Sequence, residues 1–181
     1  PAPTLGSDAD IAAILGRMQT SRSNWRTLWL DGVVIHYGPP EYVGEPFIQR
    51  EQVWISEPSY ALYLQSDYQG RLSQAYIKNT SRLAILDTAS GERKFSPPEQ
   101  VFGSISAVNL IYPLNVYGAT PVDAFTYEGE DTAAGRRCLL LSLPGGYSLG
   151  YYGLSYPDTL NRLCIDAETG VILRSEIVRQ A

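Results

Sequence analysis

Few residues in this 181-residue chain could carry chemistry. His36 is the single histidine, so a Ser/His/Asp nucleophile system would have to use it. No G-x-S-x-G elbow accompanies it, and His36 lies mid-strand among apolar residues, where a sheet role is the simpler reading. One histidine and two separated cysteines offer no metal-ligand spacing. The acidic pairs Glu128/Glu130 and Glu130/Asp131 read as parts of a solvated polar turn. There is no P-loop and no dinucleotide fingerprint, so no cofactor and no metal are expected. Asn79-Thr80-Ser81 fits a glycosylation pattern but reads first as a turn. A net charge of -5 without a Lys/Arg cluster argues against nucleic acid.

What remains is aromatic and apolar. Thirteen tyrosines and three tryptophans serve a sheet, or a ligand surface needing an apolar body with a polar tip. Tyr147, Tyr151, Tyr152 and Tyr156 stand among Gly145, Gly146, Gly150 and Gly153. This spacing is expected to make an aromatic flap at a cavity mouth; the alternative is a surface connection whose rings cover the sheet edge.

The elements that must position such groups are mostly strands. Arg136 to Val178 reads as the end of an antiparallel meander. Its strands, Arg162 to Asp166 and Val171 to Val178, are joined by Asp166-Ala167-Glu168-Thr169-Gly170, which supplies backbone-bonding acceptors and a glycine able to take positive φ. Alternation puts Leu139, Leu141 and Leu143 on one face and Cys138, Leu140 and Ser142 on the other, with Leu163 and Ile165 opposed to Arg162, Cys164 and Asp166. Pairing about the connection places Cys138 roughly opposite Cys164. A cross-strand disulfide is expected there, the alternative being two small buried thiols in a reducing compartment.

Ahead of this meander, Ser7 as N-cap and Ile11, Ile14, Leu15 and Met18 at helical spacing predict an amphipathic helix. From Trp25 to about Phe95 short alternating segments follow. The first bends at Asp31-Gly32, and turns at Asp67 to Gly70, Asn79 to Ser81 and Asp87 to Gly91 separate the later ones. Six or more antiparallel strands, strongly twisted or curled, are expected. Ser96-Pro97-Pro98-Glu99 begins a second short helix with Val101, Phe102, Ile105 and Val108 as its stripe. Strands resume at Val122 to Glu128 and turn through Gly129 to Gly135. One domain over residues 1–181 is expected, without repeats. No apolar run approaches the ~20 residues of a membrane span. The start at Pro1 leads to the expectation of a processed chain whose export signal was removed.

The segments REQVWISEPSYALYL, RLAILDTASGE, AGRRCLLLSL and LCIDAETGVILRSEI, in this order over about residues 8–178, resemble the LolA-like superfamily of periplasmic lipoprotein carriers, RseB-type anti-sigma regulators and mycobacterial lipid-carrying lipoproteins. The resemblance implies an α+β fold, a strongly curled antiparallel sheet forming a half-open barrel around an N-terminal helix and a second short helix, with an apolar cavity for acyl chains. No position matches the carriers' functional arginine, so the lipoprotein hand-over step is not carried across.

Physically, a curled sheet with two short helices leaves apolar surface to fill, and apolar pockets with few polar anchors take lipid. Leu139, Leu141, Leu163 and Ile165 are expected as one wall, Phe102 and Ile105 as the plug and Trp54 as a further contact; ordinary core packing is the alternative for each. The reading is therefore a monomeric, non-enzymatic, extracytoplasmic module, periplasmic or anchored on the outer side of a membrane, that holds a lipid or acylated ligand. The alternative is an RseB-type sensing domain with a membrane-associated protein partner. An enzyme with an unrecognised site is the third class.

Overall fold

The computed structural model describes residues 5–6, 10–36, 45–56, 60–97, 110–111, 117–145 and 158–179. The chain forms two compact units, one of Pro1–Trp25 with Val108–Ala181 and one of Arg26–Ala107.

The second unit is a six-stranded meander: β1 (Thr27–His36), β2 (Phe47–Ser56), β3 (Tyr60–Asp67), β4 (Leu72–Asn79), β5 (Leu83–Asp87) and β6 (Arg93–Ser96), each paired antiparallel with the next. Three hairpins share one device. The side chains of Asp67, Asn79 and Asp87, each ending a strand, accept from backbone N–H groups two to four residues on: Gln69 and Arg71, Ser81 and Arg82, and Ala89 and Ser90. Such Asx turns reverse the chain at once, so each strand pairs with its successor. One sheet face is buried. Val53, Ile55, Ala61, Tyr63, Tyr76 and Leu83 lie on it, with Tyr63 and Tyr76 packed edge to face at 5.5 Å between centroids.

The first unit packs α1 (Ile11–Gln19) on a four-stranded sheet of order β10-β9-β8-β7, built from β7 (Thr126–Ala133), β8 (Arg136–Pro144), β9 (Thr159–Asp166) and β10 (Ile172–Arg179). Ile14, Leu15 and Met18 of the helix meet Leu139, Leu141, Leu143, Leu163, Ile165 and Ile172 of the strands in one core cluster, all at 5% exposure or less. Each such side chain contributes roughly 1.5–3 kcal/mol relative to its exposed state. On the sheet's other face Cys138 and Cys164 form a disulfide, with Cα atoms 5.3 Å apart.

The β9–β10 loop holds the unit's helix to its sheet. Asp166 Oδ1 accepts from the N–H groups of Glu168 at 3.0 Å and Thr169 at 2.6 Å, while the Arg136 guanidinium grips the same carboxylate. Arg17 of α1 donates to the Glu168 carbonyl at 2.6 Å, and Asn24 to that of Thr169 at 3.1 Å. At Gly170 the backbone takes φ 79°, and a Cβ built there would stand 2.2 Å from the Arg17 carbonyl oxygen. Glycine is required twice over, by the turn and by the approach of the helix.

Several expectations are corrected. Among the described residues the fold is mostly β, in two open antiparallel sheets with the nine-residue helix α1, rather than an α+β fold with one strongly curled sheet forming a half-open barrel. The tight turns confine pairing to sequence neighbours. Between Ser96 and Thr126 the meander is interrupted, so no hydrogen-bonded ladder joins β6 to β7 among the described residues. Most of the segment expected to form the second helix, with Val101, Phe102, Ile105 and Val108, lies outside the described residues; Leu110, Ile111 and Tyr117 are helical. The cap of α1 is Asp10, accepting from Ala13 N–H at 2.7 Å, in place of Ser7. The β1–β2 ladder runs through Asp31 and Gly32 without a bulge. Conversely, the register of β7 shifts between Tyr127 and Gly129, a bulge at Glu128 beside Gly129 with its φ of 119°, and the strand continues to Ala133. The acids expected in a polar turn are thus strand residues. Finally, Cys138 faces Asp166 and Cys164 faces Leu140, so the disulfide is diagonal across β8 and β9.

Candidate ligand-binding face

The six-stranded sheet is apolar on both faces. Register defines the second face: Trp29 pairs with Trp54, which pairs with Leu62, which pairs with Ile77, which pairs with Ala84, which pairs with Phe95. Val33, Ile35, Ile48, Tyr60, Leu64 and Leu86 share that face by the period of two. Part of this face is open to solvent: Trp29 and Phe95 are each 64% exposed, Val33 62% and Ile77 46%, while Ile48, Trp54, Leu62, Leu64, Ala84 and Leu86 are half-buried. Scattered exposed apolar residues need no explanation, but a contiguous face of them marks an interaction surface.

A cleft of about 310 Å³ opens where β1, β2 and β3 come together, lined by Thr27, Leu28, Trp29, Trp54, Ile55, Ser56 and Tyr60. The Trp29 and Trp54 rings stack at 6.4 Å between centroids, with 23° between their planes. A cross-strand pair places them side by side, and the indoles are stiff, large and apolar. Thr27, Ser56 and Tyr60 complete a lining that is almost entirely apolar. Chemically, it can hold an apolar chain against rings.

Next along the same face lies a polar island. Asp31 pairs with Gln52 in the register, and Arg50 is one step further along β2. Arg50 donates Nε and Nη2 to the Asp31 carboxylate, the former at 2.7 Å, and Gln52 donates to it at 3.2 Å. The Arg50 guanidinium, outweighing the small desolvation cost and helped by Gln52, holds the Asp31 carboxyl below the usual carboxylate range.

A second, smaller cavity of about 240 Å³ lies on the outer face of the four-stranded sheet. Leu140 and Cys164 floor it, and Glu128, Asp131, Arg162, Arg174 and Glu176 surround it. Its charges satisfy one another: Arg162 with Glu128 at 3.1 Å, Arg174 with Asp131 at 2.5 Å and with Glu176 at 3.1 Å. Such exposed pairs are worth little individually and leave no poised acid or base.

Of the residues expected to contact a ligand, Leu139, Leu141, Leu163 and Ile165 are brought together, with Leu139 opposite Ile165 and Leu141 opposite Leu163. All four are 0% exposed in the core cluster with α1. Trp54 belongs to the other unit and lines its aromatic cleft. Phe102, Ile105, Tyr147, Tyr151, Tyr152 and Tyr156 lie outside the described residues, as does the His36 side chain. Trp29, Tyr60, Asp31, Arg50 and Gln52 escaped the sequence reading. Their signal was present: β1 alternates Trp29, Asp31, Val33 and Ile35 against Leu28, Leu30 and Val34, which leaves apolar residues on both sides. Among the described residues no three His, Cys, Asp or Glu side chains are grouped to hold a metal ion, and no helix is long and apolar enough to cross a membrane.

No protein-family model matches the chain, and no curated protein does. Solved structures give faint likenesses. A Vibrio parahaemolyticus domain assigned to outer membrane lipoprotein sorting is similar at 12% identity and a TM-score of 0.35, over 94% of this chain and 73% of that one. A DUF1329 family protein from Desulfovibrio piger is similar at 11% identity and a TM-score of 0.31, over 93% and 73%. At these scores neither assigns the chain to a family.

Proposed function

We propose that this chain is a non-enzymatic, extracytoplasmic binding protein that takes a lipid or acyl chain on the exposed face of its six-stranded sheet. The Trp29–Trp54–Tyr60 cleft grips the chain. The observation that carries the reading is this cleft of stacked indoles on an apolar sheet face that is partly open to solvent. Water contact on such a face costs free energy that an acyl chain removes on binding. The Cys138–Cys164 disulfide suits an oxidising compartment. The order of sequence segments resembling lipid-carrying proteins agrees with both.

Mass spectrometry of an organic extract of the purified protein is the first test, with co-purified lipid expected. A direct one follows with a neutral naphthylamine dye that fluoresces in apolar sites. Trp29→Ser and Trp54→Ser together are expected to weaken dye binding roughly 30- to 1000-fold, each indole giving up ~1–2 kcal/mol of apolar contact. Unchanged affinity in a variant of native circular dichroism would remove the cleft from the reading. An empty protein that instead captures a specific protein partner would favour the sensing domain.

A further inference from the structure

We infer that the ligand of this face is an anionic amphiphile whose headgroup is held by Arg50. This rests on the reading that the Trp29–Trp54 cleft takes an acyl chain. Three observations carry the step to the headgroup. First, the polar island is bounded by apolar side chains on both sides along the strands: Trp29 and Trp54 on one, Val33, Ile35 and Ile48 on the other. A chain lying in the cleft therefore passes this one charged group before meeting apolar surface again. At about 3.3 Å per residue, Arg50 stands roughly 13 Å from Trp54 along β2, within reach of a headgroup whose tail occupies the cleft.

Second, the guanidinium is oriented yet unsaturated. Arg50 gives Nε and Nη2 to Asp31, and Gln52 holds the same carboxylate from the other side. Arginine has five N–H donors in a planar fork, and these two contacts leave the Nη1 edge for a bidentate acceptor. With its side chain 51% exposed, Arg50 is open to such a ligand. Third, the chain carries a net charge of -5 and offers anions no general attraction. Preference for an anion must then come from a local group, and along β2 the guanidinium that shares the cleft's face is that of Arg50, whereas that of Arg82 lies over the Phe95 ring at the far edge of the sheet. Carboxylate and phosphate headgroups share the required planar pair of oxygens.

The test displaces the neutral naphthylamine dye from delipidated protein with dodecanoate, dodecyl phosphate and dodecanol. Wild type is expected to bind one or both anions at least 10-fold more tightly than the alcohol, and the stronger anion identifies carboxylate or phosphate. R50Q is expected to abolish that margin while leaving dodecanol unchanged. Raising the salt from 50 to 500 mM should weaken the anions alone, a readout that needs no variant. Equal affinity for all three ligands, or an R50Q loss shared equally by alcohol and anions, overturns the inference while leaving the acyl site standing. Failure of wild type to bind dye or any of the three overturns the acyl site itself, and the inference with it.

Discussion

Reducing the Cys138–Cys164 bond should destabilise one unit of this protein and not the other. The crosslink spans 26 residues of sequence, for which the chain-entropy relation gives about 3.5 kcal/mol of stabilisation through the unfolded state. Both sulfurs are buried, at 0% and 1% exposure, so reduction leaves two thiols packed much as before and the entropic term dominates. A double Cys→Ala variant loses the sulfurs too and should fall a further ~1–2 kcal/mol below the reduced wild type. Trp25 belongs to the same unit as the disulfide, whereas Trp29 and Trp54 belong to the other. Replacing those two by phenylalanine leaves Trp25 as the only tryptophan of three and hence a reporter for the crosslinked unit. Urea denaturation followed by Trp25 fluorescence, with and without reductant at equilibrium, should show the midpoint falling by ~1–2 M on reduction. A midpoint that stays put while thiol titration counts two free sulfhydryls would refute the reasoning. Two free thiols in protein prepared under air would refute the bond.

Other expectations concern the β9–β10 loop and the cleft. Gly170→Ala should cost ~2 kcal/mol or more, since it combines positive φ with a Cβ overlapping the Arg17 carbonyl; thermal unfolding measures it, and a shift below 1 °C would mean the helix end is not seated as described. Asp166 gives a pH signature. Burial of its carboxyl pushes the pKa up, but the Arg136 guanidinium and the Thr169 N–H and hydroxyl outweigh this and leave it lowered. Its contribution is therefore complete above the unfolded value of about 3.9 and is lost as pH falls through the lower folded value. Stability of Asp166→Asn should accordingly fall less steeply than wild type below pH 4, and parallel curves would discount the pair. Replacing Trp29 alone by Ser should leave stability within about 1 kcal/mol, because Trp29 is mostly exposed, while weakening dye binding; thermal unfolding and dye titration measure the two.

The legible parts of this fold were those written in local chemistry. Asp67, Asn79, Asp87 and Asp166 each end a strand and bond the following backbone, so turn residues alone located four hairpins. Alternation assigned the leucines of β8 and β9 to one face and the cysteines to the other, which the structure reproduces to the residue. Errors arose where position depended on register or on distant parts of the chain. Pairing the strands about the centre of their connection put the cysteines opposite one another; the register is shifted by two residues, and a diagonal disulfide results. Gly129 looked like a turn because positive φ serves a bulge and a turn alike. Whether successive strands curl into one barrel is decided by ladder pairing between β6 and β7, which no local residue announces.

The candidate site was hidden for a different reason. A strand that alternates apolar with polar declares which side is wet, but β1 and β2 carry apolar residues on both sides, and sequence then gives two buried faces or one buried face and one exposed site. Burial decides between them: Val53, Ile55 and Tyr63 are covered, whereas Trp29, Val33 and Ile35 are not. A face of that kind is a liability unless something occupies it, because exposed apolar strands invite aggregation. The island of Asp31, Arg50 and Gln52 interrupts this apolar surface with charge, which is expected to oppose self-association. Removing the island as Asp31→Leu with Arg50→Leu should thus increase self-association in sedimentation velocity and still preserve binding of the neutral dye. A double variant that stays monomeric would assign Arg50 to ligand alone, and one that loses the dye would show that the island shapes the cleft.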